Sequence, residues 1–420
     1  MALATSEDVL LLIFKLMVES VSMDVDWLAQ KYDVQAAEAP FTIAAVCRRW
    51  RSIALATSAL WSYLGFPGTF PLNVHHVARA SMLCKRSGGS PVDIVFRWSS
   101  DEQSHGILEH IVASHGRWRH AVLDFSVGDT NPNSLLSSHE PALESLSITV
   151  ECTFDNLPNA PRLRRLYLDC IWPSPRVSFL ALSGPQLAGL TNLVLYTNQT
   201  PRLLRALPDA VLAQLHDLTI VDDLEEQDFI EENAGQLFTF SNLCQLNADD
   251  ACWLAHIRAP KLVTLVLQRR KLDEVSQHLA NFISVTHLQL YGTFSVSIAL
   301  LLQCLNQITT LSFSCPKALY PVIPKDYSFT YEVFSLVAET KPPLWSRLHT
   351  IQFLPFRPDF DHCDESIIDD QDLINFVRTR NSLAAKEPGT VARIERVVAS
   401  HPGASDWLNE ELLRLTQATE

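Results

Sequence analysis

A short apolar pattern recurs through the middle of this chain and limits what it can fold into. One apolar residue is followed by two variable positions, a second apolar residue, one variable position and a third. The copies are Trp118/Ala121/Leu123, Leu143/Leu146/Ile148, Leu163/Leu166/Leu168, Leu190/Leu193/Leu195 and Leu215/Leu218/Ile220. They continue as Leu262/Leu265/Leu267, Val285/Leu288/Leu290, Ile308/Leu311/Phe313 and Leu348/Ile351/Phe353, with Leu243/Leu246 as a degenerate copy. Successive copies start 19 to 28 residues apart until a last gap of 40. The second half of each copy alternates with period two, which predicts a short strand. The stretches between copies, such as Pro201–Leu212 and Leu272–Ile283, then carry a returning helix or irregular turn.

This period and core are the signature of leucine-rich repeats. Stacked units of this kind form a solenoid whose parallel strands share one face. Burying one large apolar side chain is worth about 1.5–3 kcal/mol, so each copy is ordered only when its neighbours cover it. Ten copies argue against coincidental leucine spacing in an unrelated α/β fold. The repeats are irregular. Only Asn198 stands where a regular repeat places its asparagine, and Pro316, Pro321, Pro324, Tyr327 and Tyr331 fill an insertion before the last copy. Val74–Cys84 reads as a helix leading in, and Ser90–Trp98, with Val92, Ile94 and Phe96 alternating, as the first strand. The middle variable positions are Ser147, Tyr167, Val194, Thr219, Val266, Gln289, Ser312 and Gln352. They form an uncharged row on the face opposite the core, where a protein substrate would be held by hydrogen bonds and apolar contact. A small-molecule-gated receptor would instead need a pocket lined by polar and basic groups, which this row does not supply.

The chain has 420 residues and a formal net charge of −14. That charge repels phosphate backbones, so nucleic acid is not an expected partner. The short basic runs Arg48-Arg49-Trp50-Arg51, Arg162-Leu163-Arg164-Arg165 and Arg269-Arg270-Lys271 read as solvated faces or protein contacts. The nine cysteines are scattered with no Cys-x-x-Cys pair. They read as reduced core residues of a cytoplasmic or nuclear protein, not as a disulfide or zinc framework. No apolar run reaches 18 residues; Val9–Met17 is interrupted by Lys15, so no membrane span is expected. Glu7 and Asp8 do not fit a secretory leader. The sequon Asn198-Gln199-Thr200 then reads as chance.

Motifs for catalysis are missing. There is no phosphate loop, nucleophile elbow or His-Glu-x-x-His. His105, His110, His115 and His120, read on one helix, diverge instead of meeting at a metal; adjacent His75 and His76 point apart. The acidic runs Asp222–Glu232 and Asp359–Asp372 read as solvated loops, since the second lacks the spacing of a calcium loop. No enzyme activity, cofactor or metal is expected. From residue 358 onward 13 acids face 6 bases, which suits a basic partner near that end.

The N-terminal segment is the most specific. Residues 7–18 predict a helix with Ser6 as N-cap and Glu7 and Asp8 in its first turn. Val9, Leu10, Ile13, Phe14 and Met17 form an apolar face. Phe41–Thr57 predicts a second helix, with Ile43, Val46, Cys47, Trp50, Ile53 and Ala54 on one side and Arg48, Arg49 and Arg51 flanking. Leu60 and Trp61 follow.

Asp8-Val9-Leu10, Ile13-Phe14, Val46-Cys47-Arg48-Arg49-Trp50-Arg51-Ser52-Ile53-Ala54 and Leu60-Trp61 together resemble an F-box. With Arg86-Ser87-Gly88, the strand Pro91-Val92-Asp93-Ile94 and the late helix Asp372–Arg380, the chain is similar to F-box/leucine-rich-repeat proteins of mushroom-forming (basidiomycete) fungi. It departs from the pattern at Thr5-Ser6, where Leu-Pro is usual, at Ala59, where Pro precedes Leu-Trp, and by an acidic insertion, Met23–Ala39. The resemblance implies the substrate-recognition subunit of a Skp–cullin–F-box ubiquitin ligase. In that reading Leu10, Ile13, Phe14, Val46, Cys47, Trp50, Leu60 and Trp61 face or support a Skp-family adaptor. The solenoid then positions a protein substrate, and catalysis is by proximity. The departures leave a second reading open, a repeat scaffold not linked to a ligase. The expected fold is α/β: an F-box over 1–65, a helical linker over 66–89, an irregular leucine-rich-repeat solenoid over 90–357 and an acidic, helical C-terminal cap over 358–420.

Overall fold

A computed structural model describes residues 6–19, 33–66, 72–99, 101–125, 139–150, 157–170, 187–197, 200–221, 237–248, 251–267, 281–291, 305–314, 345–354, 370–399 and 406–417. Asn198, the run Arg269-Arg270-Lys271, most of Leu272–Ile283, the acidic run Asp222–Glu232, most of Asp359–Asp372 and the insertion before the last copy lie outside them. The chain divides into two compact units, Met1–Val211 and Leu212–Glu420.

The first unit begins with α1 (Glu7–Glu19), α2 (Val34–Val46) and α3 (Arg48–Ala56), then a 3-10 turn, Ser58–Trp61. Ser6 starts α1 as expected: its hydroxyl accepts from the Val9 N–H at 3.3 Å. The single helix expected over Phe41–Thr57 is instead two. Cys47 is extended (φ −159°, ψ 170°), which ends α2, and its thiol accepts from the Trp50 N–H to open α3. Helix α2 also starts inside the segment read as an acidic insertion. Asp33 caps it by accepting from the Ala36 N–H at 2.9 Å. Pro40 lies within the helix.

Six strands follow in a parallel sheet of order β1 to β6: β1 (Tyr63–Gly65), β2 (Val92–Arg97), β3 (Trp118–Phe125), β4 (Ser145–Val150), β5 (Arg165–Cys170) and β6 (Asn192–Tyr196). Strand β1 precedes the segment expected to come first; at three residues it is too short for a period to be read. Helix α4 (Val74–Arg86) forms where the lead-in helix was expected, and α5 (Glu102–Val112) joins β2 to β3. His105 and His110 sit on α5, whereas His115 lies in the following turn and His120 on β3, so the four histidines are not on one helix.

The second unit holds a parallel sheet of order β7 (Asp217–Val221), β9 (Gln245–Ala248), β11 (Thr264–Leu267), β12 (His287–Tyr291), β13 (Thr310–Ser314), β14 (Thr350–Leu354) and β15 (Arg396–Ala399). Strands β8 (Phe238–Thr239) and β10 (Ile257–Arg258) pair apart from it. The C-terminal segment is helical over Asp370–Lys386 and Asp406–Gln417. Strand β15 lies between these helices and extends the sheet, where only helix was expected.

The register explains the repeat. Leu64, Ile94, Ala121, Leu146, Leu166 and Leu193 pair across β1 to β6, and all are buried. Leu218, Leu246, Leu265, Leu288, Leu311 and Ile351 form the matching row in the second unit. Every apolar residue of the ten copies is buried. A backbone ladder links successive copies. The residue after the first apolar position donates to its counterpart one copy earlier: Glu144 to Arg119, Arg164 to Glu144, and Thr191 to Arg164. In the second unit Val263 donates to Cys244, Thr286 to Val263, Thr309 to Thr286 and His349 to Thr309. Three residues before that first position lies another buried residue whose carbonyl closes a turn, as Ala160 does for Leu163, Ala259 for Leu262 and Trp345 for Leu348. The architecture is therefore α/β, built of leucine-rich-type repeats with a helical start.

Candidate functional site

Helix α1 is apolar nearly all round from Val9 to Val18, and only one side of it is covered. Leu10 (4% exposed) and Phe14 (0%) are buried, with the Phe14 ring edge-on to Trp50 at 4.9 Å. Val9, Leu12, Ile13, Leu16 and Met17 are 40–59% exposed. At 100° per residue these five share an arc of about 140°. Water-facing apolar residues at this spacing are the reverse of a solvated helix face. Val46, at the end of α2, and Leu55, on α3, are exposed as well.

The eight sequence-selected residues of this segment therefore divide. Ile13, Val46 and Cys47 are exposed, and Trp50 is half-buried against Phe14. Leu10, Phe14, Leu60 and Trp61 belong to the core. The Trp61 indole N–H donates to the Ala54 carbonyl at 2.8 Å, and its ring meets Phe41 edge-on at 5.3 Å and lies under the Arg86 guanidinium at 4.3 Å. Arg79 of α4 binds Glu38 at 2.6 Å and the Ala37 carbonyl at 2.7 Å, and its guanidinium lies over Phe41. Helix α4 thereby locks the helical start to the first strands. The sequence pattern misses the exposed Leu12 and Leu16 because it shows an apolar helix but not which side its own chain covers.

The uncharged row is in register. Val122, Ser147, Tyr167 and Val194 are successive partners in the first unit, and Asn247, Val266, Gln289, Ser312 and Gln352 in the second, with Thr219 paired to Asn247. Ser147, Tyr167, Val266 and Ser312 are buried, and Val194, Thr219, Gln289 and Gln352 half-buried. Strands about 4.8 Å apart make neighbouring side chains cover one another. Ser312 donates to Gln352 at 3.2 Å. Asn247 and Val122 also belong to the row; the degenerate copy at Leu243 hides the first of these in the sequence.

Charge flanks this row in the first unit. On one side, Asp169 accepts from Tyr167 at 3.4 Å and Thr149 at 3.5 Å, while its second carboxylate oxygen is buried without a partner among the described residues. Burial, helped by the nearby Asp124 charge, pushes the Asp169 carboxyl up to about 6. On the other side, a cleft of about 530 Å³ opens between the end of α1, the 3-10 turn and the N-terminal ends of β1 to β5. Lys15, Arg119, Arg164 and Arg165 line it, against Asp93 and Glu144. Asp93 takes both ends of the Arg119 fork, at 3.0 and 2.5 Å. His120 also lines the cleft. Its Nδ1 is buried without a partner among the described residues, and burial holds its pKa down.

No protein-family model matches the chain, and no curated protein matches it. Among solved structures it is similar to the leucine-rich repeat-containing protein LegL7 from Legionella pneumophila, with 13% identity and a TM-score of 0.36 over 77% of this chain and 99% of that one. The repeat assignment rests on this chain's own register and burial. Among the described residues, no helix is long and apolar enough to cross a membrane, and no group of three or more His, Cys, Asp or Glu could hold a metal ion.

Proposed function

We propose that this chain is the substrate-recognition subunit of a Skp–cullin–F-box ubiquitin ligase, docking a Skp-family adaptor through α1 and holding a protein substrate on the repeat sheet. The observation that carries the reading is the exposed apolar side of α1: Val9, Leu12, Ile13, Leu16 and Met17 on a helix whose other side is anchored through Leu10 and Phe14. Contiguous apolar surface on a folded protein marks an interaction site. Its position in the segment that resembles an F-box supports an adaptor as the occupant. Val46 and Leu55 supply apolar surface on the neighbouring helices.

The role asks for no covalent chemistry from this chain. The adaptor holds the chain through α1, the sheet holds the substrate, and the transfer reaction gains from a raised effective concentration. Co-expression with a Skp-family adaptor followed by size-exclusion chromatography tests it. The expected result is a stable complex of one chain with one adaptor; elution of the two as separate species refutes it. A second reading, a repeat scaffold without a ligase, is favoured by Thr5-Ser6 in place of Leu-Pro, and separate elution would support it.

A further inference from the structure

We propose that the cleft between the helical start and the N-terminal ends of β1 to β5 binds a small polyanion, its charges borne by phosphate or carboxylate groups. The site is a concentration of positive charge in a chain whose formal charge is −14. Four cations, Lys15, Arg119, Arg164 and Arg165, line it against two carboxylates; Arg119 and Asp93 neutralise one another, which leaves Lys15, Arg164 and Arg165 against Glu144. Arg164 and Arg165 carry planar forks that match the oxygens of phosphate and carboxylate. A cleft of about 530 Å³ has the size of a small-molecule site.

Repeat geometry assembles these groups. The two residues after the first apolar position of each copy stand at the N-terminal end of a strand, and the backbone ladder stacks them. That places Arg119-His120, Glu144-Ser145 and Arg164-Arg165 side by side. The basic run at Arg162–Arg165, which sequence alone assigns to a solvated face or protein contact, thereby acquires a cleft.

His120 couples the site to pH. It is flanked by Asp93 from β2, Glu144 and Arg165 from the following copies, and Arg119 beside it on β3. Burial favours the neutral ring, and a bound anion favours the protonated one, which donates from both nitrogens. Binding therefore takes up a proton and tightens as pH falls. Lys15 lies outside the exposed apolar arc of α1, so the site stands whether or not α1 docks an adaptor.

Isothermal titration of the full chain with tripolyphosphate and, separately, with citrate at low salt tests the proposal. At least one of the two should bind. Arg164→Glu, a change at an exposed position, should weaken that binding about tenfold or more, equivalent to about 1.4 kcal/mol or more. Lys15→Glu is the second variant should the first misfold. Arg97→Glu, at the other end of β2, is the charge-matched control and should leave binding unchanged. His120→Gln should remove the gain in affinity between about pH 8 and pH 6. Tripolyphosphate binding alone assigns a phosphate ligand, citrate binding alone a carboxylate one. No heat from either anion overturns the proposal, as does equal weakening by Arg97→Glu and Arg164→Glu.

Discussion

Asp169 shows how one residue ties the repeat sheet to pH. Its carboxyl is raised from 3.8 to about 6, chiefly by burial and further by Asp124. A raised carboxyl pKa favours the protonated folded state, so this contribution to stability is complete below the unfolded value near 3.8 and is lost as pH rises through about 6. Asp169→Asn, which keeps the shape and cannot ionise, should melt above the wild type at neutral pH, with the gap closing near about pH 4. Thermal melts across pH measure it; an equal or lower melting temperature at neutral pH would contradict the assignment. Arg380 plays a different part. It is 2% exposed and donates to the carbonyls of Trp345 and Ala392. Trp345 holds a left-handed φ of 51° in the turn before Leu348, a conformation costly for a bulky side chain. Burial lowers the Arg380 pKa only to about 10, so the guanidinium stays charged at neutral pH. Arg380→Met should cost about 2–3 kcal/mol, the value of charged hydrogen bonds whose acceptors are left buried. Chemical denaturation of the variant is the check.

At the scale of elements, α1 has one side that holds the fold and one exposed side, the proposed docking surface. Leu10→Ala and Phe14→Ala each open a cavity against the neighbouring helices and should cost about 2–5 kcal/mol in stability. Leu12→Asp with Leu16→Asp changes only exposed positions and should leave the melting temperature near that of the wild type. A large loss of stability in this second pair would mean that the exposed side is covered within the molecule. The sequence discloses α1 and its apolar character but not its covered side, because that depends on where Trp50 and the 3-10 turn come to rest. Cys47 hides the break between α2 and α3, since a single extended residue leaves no gap in the apolar pattern. Strand β15 is invisible for the opposite reason: Val397-Val398 is too short to show alternation, and its pairing to β14 is set by the sheet.

For the molecule as a whole, the repeat arithmetic carries most of the fold. Three apolar positions per copy locate each strand, and the register they imply is the one observed. The degenerate copy at Leu243/Leu246 keeps its place because Ala248 fills the third position. The open face is less legible. The uncharged row is more covered than isolated strands suggest, and the cleft needs residues from the helical start and five strands at once. The C-terminal segment, outside the repeat pattern, shows the same dependence on context. Asn381 donates to the carbonyls of Ile394 and Leu415 and accepts from the Ile394 N–H, joining the two last helices and the residues that lead into β15. Nothing in the spacing of the sequence marks that asparagine, because its partners come from two other segments.

Docking of a Skp-family adaptor on the exposed side of α1 is tested most directly by calorimetric titration of purified adaptor into the full chain. The Leu12→Asp/Leu16→Asp variant is run beside it, with both proteins shown to be folded by thermal melts. Saturable binding by the wild type is predicted, with a loss of about a hundredfold or more in the variant, since two central apolar anchors are each worth about 2 kcal/mol or more. Equal affinity for the two proteins, or no binding by the folded wild type, would contradict it.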